Sequence, residues 1–508
     1  MNERRGLLAN IIMNRLGGNR LQVNTVDPNL PRNTAERRSV AVLGGGIAGL
    51  AAAALLSERN FQVTVYEKND YLGGKIGSWP VRFQDGFQTQ VEHGFHAFFR
   101  QYYNLRELLK RIGAERYLIP IEDYLISTLE HGNYGFRGIK TTPALNMLSM
   151  AKHKVYKLTD MMKNPESRRL LAFLQFDADK TFELFDELSF RQFAEQAGLP
   201  PQMMVIFSTF TRAFFAESHL MSMAEMIKSF HFYFLSNDLG LIYDVLRDDF
   251  QTTFLDPARA HLERHGARIR TGRAIRALKR LGRGFAVGGD TFDYAVLATD
   301  VVGTKAISDA SEFVRRENPR SFAELSGLKP SQPYSVLRLW LDRGLKQKLP
   351  FFIFTDRVKL LDSISLYHNL EDASAAWAEQ TGGAVVELHS YAVPDDVPDK
   401  SAVRQHLLEE LYAYLPELKE AKILYEYHQL RDDFTCFHTG QYRRRPVFDP
   451  GIDHLYLAGD WVKLPYPAML MEAASTSALL SANAILEKEG LQTEPVYSVP
   501  LKGLFAKR

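Results

Sequence analysis

The chain has 508 residues, of which 45% are hydrophobic and 24% charged, a balance that suits a folded globular protein of two or three domains. Its formal charge of +2 gives no general reason to expect a nucleic-acid partner. A single cysteine, Cys436, excludes an internal disulfide framework and a multi-cysteine zinc or iron–sulfur site, and fits a reducing, cytoplasmic setting.

Residues 1–38 hold seven arginines against three acids, so this arm is far more basic than the whole. The opening MNERRGLLANIIMNRLGG is not read as a signal peptide, because Asn10 and Asn14 interrupt its apolar stretch and no small-residue cleavage site follows. Leu8, Ile12 and Leu16 share one helical face, with Arg5 and Arg15 elsewhere. The arm is expected to be solvated and partly disordered, with an interfacial membrane helix as the alternative. No stretch reaches the roughly 18 apolar residues that span a bilayer, so any membrane contact would be peripheral.

From Ser39 the pattern sharpens. SVAVLGGGIAGLAAAALL is a short apolar strand, a glycine turn and an Ala- and Leu-rich helix. Gly44, Gly46 and Gly49 form G-x-G-x-x-G: the first permits a tight turn, the second lets backbone approach a pyrophosphate, and the third lets helix pack on strand. Ala48 lies in the same turn, where the helix N-terminus offers free N–H groups to phosphate. A second strand, FQVTVYEK, ends in Glu67, 21 positions after Gly46, where a carboxylate can accept hydrogen bonds from a ribose diol. Lys68 follows it.

NDYLGGKIGSW then places Gly73, Gly74 and Lys75 close behind that acid. VEHGFHAFFRQYYNL (91–105) is aromatic yet carries His93 and His96. Three readings are open for it: a metal site, a packed strand with bonded imidazoles, or the floor of a cofactor pocket. No HExxH motif or acidic cluster supplies further metal ligands. Residues 111–254 are predicted to be mainly helical and unusually rich in Met and Phe (MMVIFSTFTRAFF, MSMAEMIKSFHFYFL). That suits either a plain core or an apolar channel or membrane-facing surface. Between 330 and 430, SVLRLWL, FFIFTD, AVVELHSYAV and AKILYEYHQL read as strands. HLYLAGDWVKLPYPAMLMEAASTSALLSANAIL closes the pattern with a strand before Gly459 and Asp460, then a long helix after Met471.

These motifs, in this order, resemble the flavin amine oxidase and carotenoid desaturase superfamily across residues 39–490. The resemblance implies FAD as cofactor. It places Gly73-Gly74-Lys75 as a second contact motif, Ile275 of HGARIRTGRAIRAL over the adenine, YAVLATD (294–300) as a returning strand, and Gly459-Asp460 by the phosphate and ribityl chain. It also turns the last helix's N-terminus, with Met471, toward the flavin ring. Gly94, His96, Ala97 and Tyr102 match flavin-contacting positions, and Phe98 and Phe99 would shield a polyene from water. The implied fold is α/β. A Rossmann-type FAD-binding domain of the glutathione-reductase-like, amine-oxidase kind is assembled from 39–110, 255–310 and 440–490. A substrate domain of helical cap (111–254) and mixed sheet (311–439) is inserted, and 491–508 form a tail.

Within the superfamily, EHGFHAFFRQYYNL, LIYDVLRDDFQTTFLDPARAHLE and GDWVKLPYPAMLMEAAS resemble the branch that aromatises carotenoid end rings, the β-carotene desaturase/methylase type. That implies a lipophilic carotenoid substrate, a membrane surface, and quinone or oxygen as electron acceptor, since only one G-x-G-x-x-G occurs. A desaturase of a linear carotene such as phytoene or ζ-carotene is one alternative. A flavin amine oxidase, with Trp461, Lys463 and Tyr466 as cage remnants, is another, and a non-catalytic flavin-binding protein a third. Plant-type phytoene desaturases carry a substrate-facing arginine where this chain has Phe232, beside His231. His96, His231 and Glu472 are the titratable candidates for a catalytic base, although a delocalised polyene cation needs no strong one.

Overall fold

The computed structural model describes residues 7–16, 18–121, 123–130, 132–135, 137–152, 164–397 and 399–506. Short strands from four parts of the chain, most of them apolar, build its central sheet. Five parallel strands lie in the order Arg268–Arg270, Gln62–Tyr66, Ser39–Leu43, Tyr294–Leu297, Leu455–Leu457. Val40 through Leu43 are at most 1% exposed, as expected for a parallel sheet covered on both faces. One face carries the helix Ile47–Glu58, whose alanines let the C-terminal helix Leu470–Lys488 pack closely against it. The other face carries an antiparallel ribbon (Lys279–Leu281, Gly284–Val287, Asp290–Phe292) and the helices Val301–Ala310 and Pro319–Ser326. The doubly covered α/β layer matches the fold class read from the sequence.

A second sheet has seven strands, in the order Ile423–Arg431, Tyr334–Leu341, Ala384–Ser390, Ser363–Leu366, Phe352–Thr355, Leu125–Thr128, Gly132–Gly135. The strands expected between 330 and 430 all appear in it. Its last two members come from 111–254, the stretch read as mainly helical, which also supplies Leu118–Ile121 and Tyr243–Leu246 to a small three-stranded sheet. Leu125–Thr128 is too short to show a clear period. Its parallel pairing with Phe352–Thr355, more than 200 residues away, decides its conformation.

The basic arm, expected to be solvated and partly disordered, is folded over its described residues. Residues 7–16 form a helix with Ala9, Met13 and Leu16 buried, while Leu8 and Ile11 are more than half exposed. The inward face is therefore rotated from the expected Leu8–Ile12–Leu16 stripe. Leu21–Gln22 pairs antiparallel with Tyr497–Ser498, so arm and tail fold together. Arg59, 2% exposed, holds them by donating to the carbonyls of Arg32 at 2.7 Å and Gln492 at 3.2 Å, and by an ion pair with Glu494. Arg59→Met keeps the apolar stem and removes those donors. It should cost about 1–3 kcal/mol, seen as a lower thermal midpoint and faster proteolysis at residues 18–38, with flavin content unchanged.

Candidate active site

The C-terminal ends of the parallel strands, the segment 91–102 and one face of the seven-stranded sheet enclose a cavity of about 760 Å³. Ligands in doubly wound folds bind at such strand ends. The glycine turn forms its floor. Gly44 has φ +111°, and a Cβ there would lie 2.4 Å from the Ala298 carbonyl oxygen. A Cβ on Gly49 would lie 1.8 Å from the Gly44 oxygen, so these two glycines serve the protein's own packing. Gly46 differs. A Cβ there would meet no protein atom nearer than 3.7 Å, although the residue lines the cavity. The space it keeps open is space for a ligand, directly at the N-terminus of Ile47–Glu58.

Glu67, the residue after the strand Gln62–Tyr66, stands on the cavity wall with one oxygen accepting the Gly45 N–H at 2.8 Å and the other the Asn69 N–H at 2.9 Å. Lys75 bonds both Asp460 oxygens at 3.0 and 3.1 Å, which fastens Gly73–Gly74 to the distant Gly459–Asp460 turn. Lys68 pairs with Asp300 at 3.2 Å. Ile275 lines the cavity with Arg273 and Arg276, two cations the sequence reading did not single out. Leu470, Met471 and Ala474 bring the first turn of the C-terminal helix to the wall, with Leu470 at φ +49°. Ala48 lines the cavity as well, whereas Gly49 lies behind it.

The segment 91–102 lies between cavity and seven-stranded sheet. Gly94, at φ +101°, could not carry a Cβ without approaching Val336 to 3.1 Å and His389 to 3.4 Å. Both histidines reach the cavity. The His93 Nδ1 meets the Tyr334 hydroxyl at 2.8 Å, and His96 Nδ1 meets the Gly94 carbonyl at 2.8 Å. Burial pushes His96 down to about 4, so its neutral ring donates from Nδ1 and leaves Nε2 as the acceptor. Tyr102 bonds Tyr233 at 2.7 Å and lines the cavity with Ala97 and Phe99. Phe98 points the other way into the core, at 0% exposure, because neighbours on a strand alternate faces. Phe95 takes the wall position expected for it.

His231 and Glu472 stand off the wall. His231 is fully buried, stacked on Phe176 and bonded to the Pro500 carbonyl at 2.6 Å. Glu472 accepts the backbone N–H groups of Asn104 and Leu105 at 2.9 and 3.0 Å and the Asn104 amide at 2.8 Å. It thereby caps the helix Tyr103–Ile112 from outside, and burial pushes its carboxyl up to about 8 against those donors. Among the described residues, the one His/acid group spaced for a metal is Glu58, His261 and His265, away from the cavity. Its Glu58 is already bonded by His261 at 2.7 Å and by Arg111.

Residues 47–486 match the family model of flavin-containing amine oxidoreductases. The chain belongs to that family. This flavoenzyme is an FAD-dependent oxidoreductase, and the open space at Gly46, the Glu67 carboxylate and the helix N-termini suit such a dinucleotide. It is 36% identical over 484 residues to a carotenoid phi-ring synthase of Streptomyces griseus, covering 93% of this chain and 92% of that one. A carotenoid phi-ring synthase of Chlorobaculum tepidum is 27% identical over 92% and 91% of the two chains. The solved structure of putrescine oxidase bound to putrescine superposes with a TM-score of 0.63 at 16% identity, covering 89% and 99%, which speaks for the fold alone.

Tyr334, His389, Tyr391 and Phe434, which no motif in the sequence marks, also stand on the cavity wall. One signal was available: in AVVELHSYAV, Glu387, His389 and Tyr391 alternate and so share a strand face. Gly46→Val should yield folded protein with unchanged far-ultraviolet circular dichroism and no bound flavin absorbance. Gly49→Val should lose both, because its side chain meets backbone. Flavin retention by Gly46→Val would show that the space serves something else.

Proposed function

We propose that this flavoenzyme dehydrogenates the β-ring of a carotenoid and shifts one of its geminal methyl carbons to the neighbouring ring carbon, making the ring aromatic. What supports this most is the 36% identity to a phi-ring synthase across 93% of the chain. The cavity agrees with it: Phe95, Phe99, Phe352 and Phe354 offer an apolar aromatic wall suited to a bulky hydrocarbon ring and to a delocalised cation.

In this reading FAD, when bound, supplies the two-electron oxidation. Gly46 and Ala48, on the turn that Gly44 makes possible, would admit its pyrophosphate, and Glu67 would accept its ribose hydroxyls. Ile275 and the neighbouring arginines flank its adenine end. The Lys75–Asp460 pair, Gly74 and Gly459 hold the phosphate side, while Gly94, His96, Ala97, Tyr102 and Met471 face the ring end. Of the three candidate bases only His96 has a route to substrate. We assign His231 and Glu472 to packing and capping. Quinone or oxygen would take up the electrons.

A carotenoid dissolves in lipid, so the enzyme would work at a membrane surface. No helix among the described residues is long and apolar enough to cross one. Leu8 and Ile11 offer an exposed apolar edge on the N-terminal helix, beside Arg15, whose guanidinium lies 5.8 Å from the half-exposed Phe505 ring. That combination suits an anionic interface.

Expressed in cells that make β-carotene, the protein should yield a product with at least one aromatic, methyl-shifted ring. Phe99→Ala should lower that yield more than it lowers flavin content. Conversion of phytoene in cells lacking a cyclase would instead assign a linear substrate. Leu8→Ser with Ile11→Ser should weaken flotation with anionic vesicles several-fold at unchanged flavin content; unaltered flotation would move membrane contact elsewhere or remove it.

A further inference from the structure

We propose that Tyr391, His389 and Glu387 form a proton relay that accepts the proton lost when the ring is dehydrogenated. This rests on the carotenoid-ring reading above. The strand Ala384–Ser390 runs beneath the 91–102 segment; its alternation puts Glu387 and His389 on one face, and Tyr391, just past its end, stays on that side with its hydroxyl at His389. Glu387 and His389 are 0% and 1% exposed, while His389 and Tyr391 line the cavity.

The hydrogen bonds have a direction. Glu387 Oε1 lies 2.7 Å from His389 Nε2, so the carboxylate accepts and Nε2 carries the hydrogen. Nδ1 is then an acceptor, 3.1 Å from the Tyr391 hydroxyl and 3.0 Å from that of Ser363, and the two hydroxyls are 2.9 Å apart. Behind them, Arg338 lies opposite Glu387 in register and donates to its second oxygen at 2.7 Å. Burial alone would raise the Glu387 carboxyl, but Arg338 and His389 hold it down at about 2. A permanent anion therefore stands ready to stabilise an imidazolium.

Other charged or titratable groups nearby are His96 across the Gly94 loop, Tyr243, and Asp362, which accepts the Tyr391 N–H at 2.8 Å and is itself paired with Arg212 and Arg357. His93 and His96 each bond a neutral oxygen instead of a carboxylate, so neither has a comparable anion behind it. The cavity's one imidazole backed by a hydrogen-bonded carboxylate, among the described residues, is His389.

The balance is simple. A ring with one C=C becomes aromatic through two dehydrogenations, each of which would pass one hydride, with its electron pair, to bound FAD and leave a cation on the substrate. Quinone or oxygen would reoxidise the flavin between them, and the methyl shift moves a carbon with its bonding pair and needs no oxidant. An adjacent C–H bond breaks, and its electrons form the new C=C. Its proton passes to the Tyr391 oxygen as the phenolic proton moves to His389 Nδ1. The imidazolium pairs with Glu387 and later discharges to water. Tyr391 is the catalytic residue that touches substrate; His389 receives the proton through it, and Glu387 is a positioning residue.

The test uses purified holoenzyme mixed anaerobically with β-carotene in detergent, followed by bleaching of flavin absorbance. Tyr391→Phe and His389→Asn should keep their FAD and slow bleaching about 100-fold or more, in line with general-base contributions. Without substrate, histidine nitrogen resonances of the labelled protein should show His389 as the Nε2–H tautomer, and Glu387→Gln should shift that signal. Bleaching of Tyr391→Phe within about threefold of the parent, with FAD retained, would overturn the relay and leave the ring reading standing. If His389→Asn fails to hold FAD, Tyr391→Phe decides alone. A parent enzyme that β-carotene does not bleach overturns both.

Discussion

The contact between Gly49 and the Gly44 carbonyl oxygen is the constraint on which the cavity depends. With no room for a side chain, the helix Ile47–Glu58 starts tight against its strand and aims its free N–H groups at one point. That helix also receives the C-terminal helix, whose first turn reaches the same cavity. Two helix N-termini thus converge on one space, and both their dipoles favour negative charge there. A parallel sheet assembled from four parts of the chain makes this possible, because every strand delivers its loop to the same edge.

The segment 91–105 is held from three directions. Gly94 lets it lie on the seven-stranded sheet, Tyr102 is tied to Tyr233, and Glu472 grips the start of the following helix. Glu472 thus contributes to the site by position, without touching it. The question raised by two histidines in an aromatic strand resolves into geometry: both imidazoles face the cavity, each fixed at Nδ1 by a neutral oxygen.

Beneath that segment lies a buried charge cluster. Arg338, 2% exposed, bonds Glu387, lies 3.5 and 3.9 Å from Glu92 and Glu371, and stacks 3.9 Å over the Tyr367 ring. Burying so many charges is costly, and apolar side chains would fill the same volume more cheaply. Such a cluster instead fixes orientation. Glu92 also accepts the Phe250 N–H at 2.6 Å, which couples the cavity segment to the stretch 243–255.

Much of the nucleotide half was legible in the sequence because its signals are local. G-x-G-x-x-G encodes a turn, a close approach and a helix start within six residues, and Glu67 stands just past the next strand, at the edge to which that strand's length delivers it. The family likeness and the FAD cofactor rest on those patterns taken in order with Gly73-Gly74-Lys75, YAVLATD and the Gly459-Asp460 segment, while the strands between 330 and 430 are legible from their own β-branched and aromatic runs. What only the tertiary structure decided are relations between distant residues. It turned Phe95 rather than Phe98 to the cavity and set Glu472 behind the wall. It packed the basic arm on the tail through Arg59, and it brought His389 and Tyr391 to the cavity. Alternation told which side chains share a face, but not which face meets the cavity. That choice depends on packing between strands hundreds of residues apart, which no local period records.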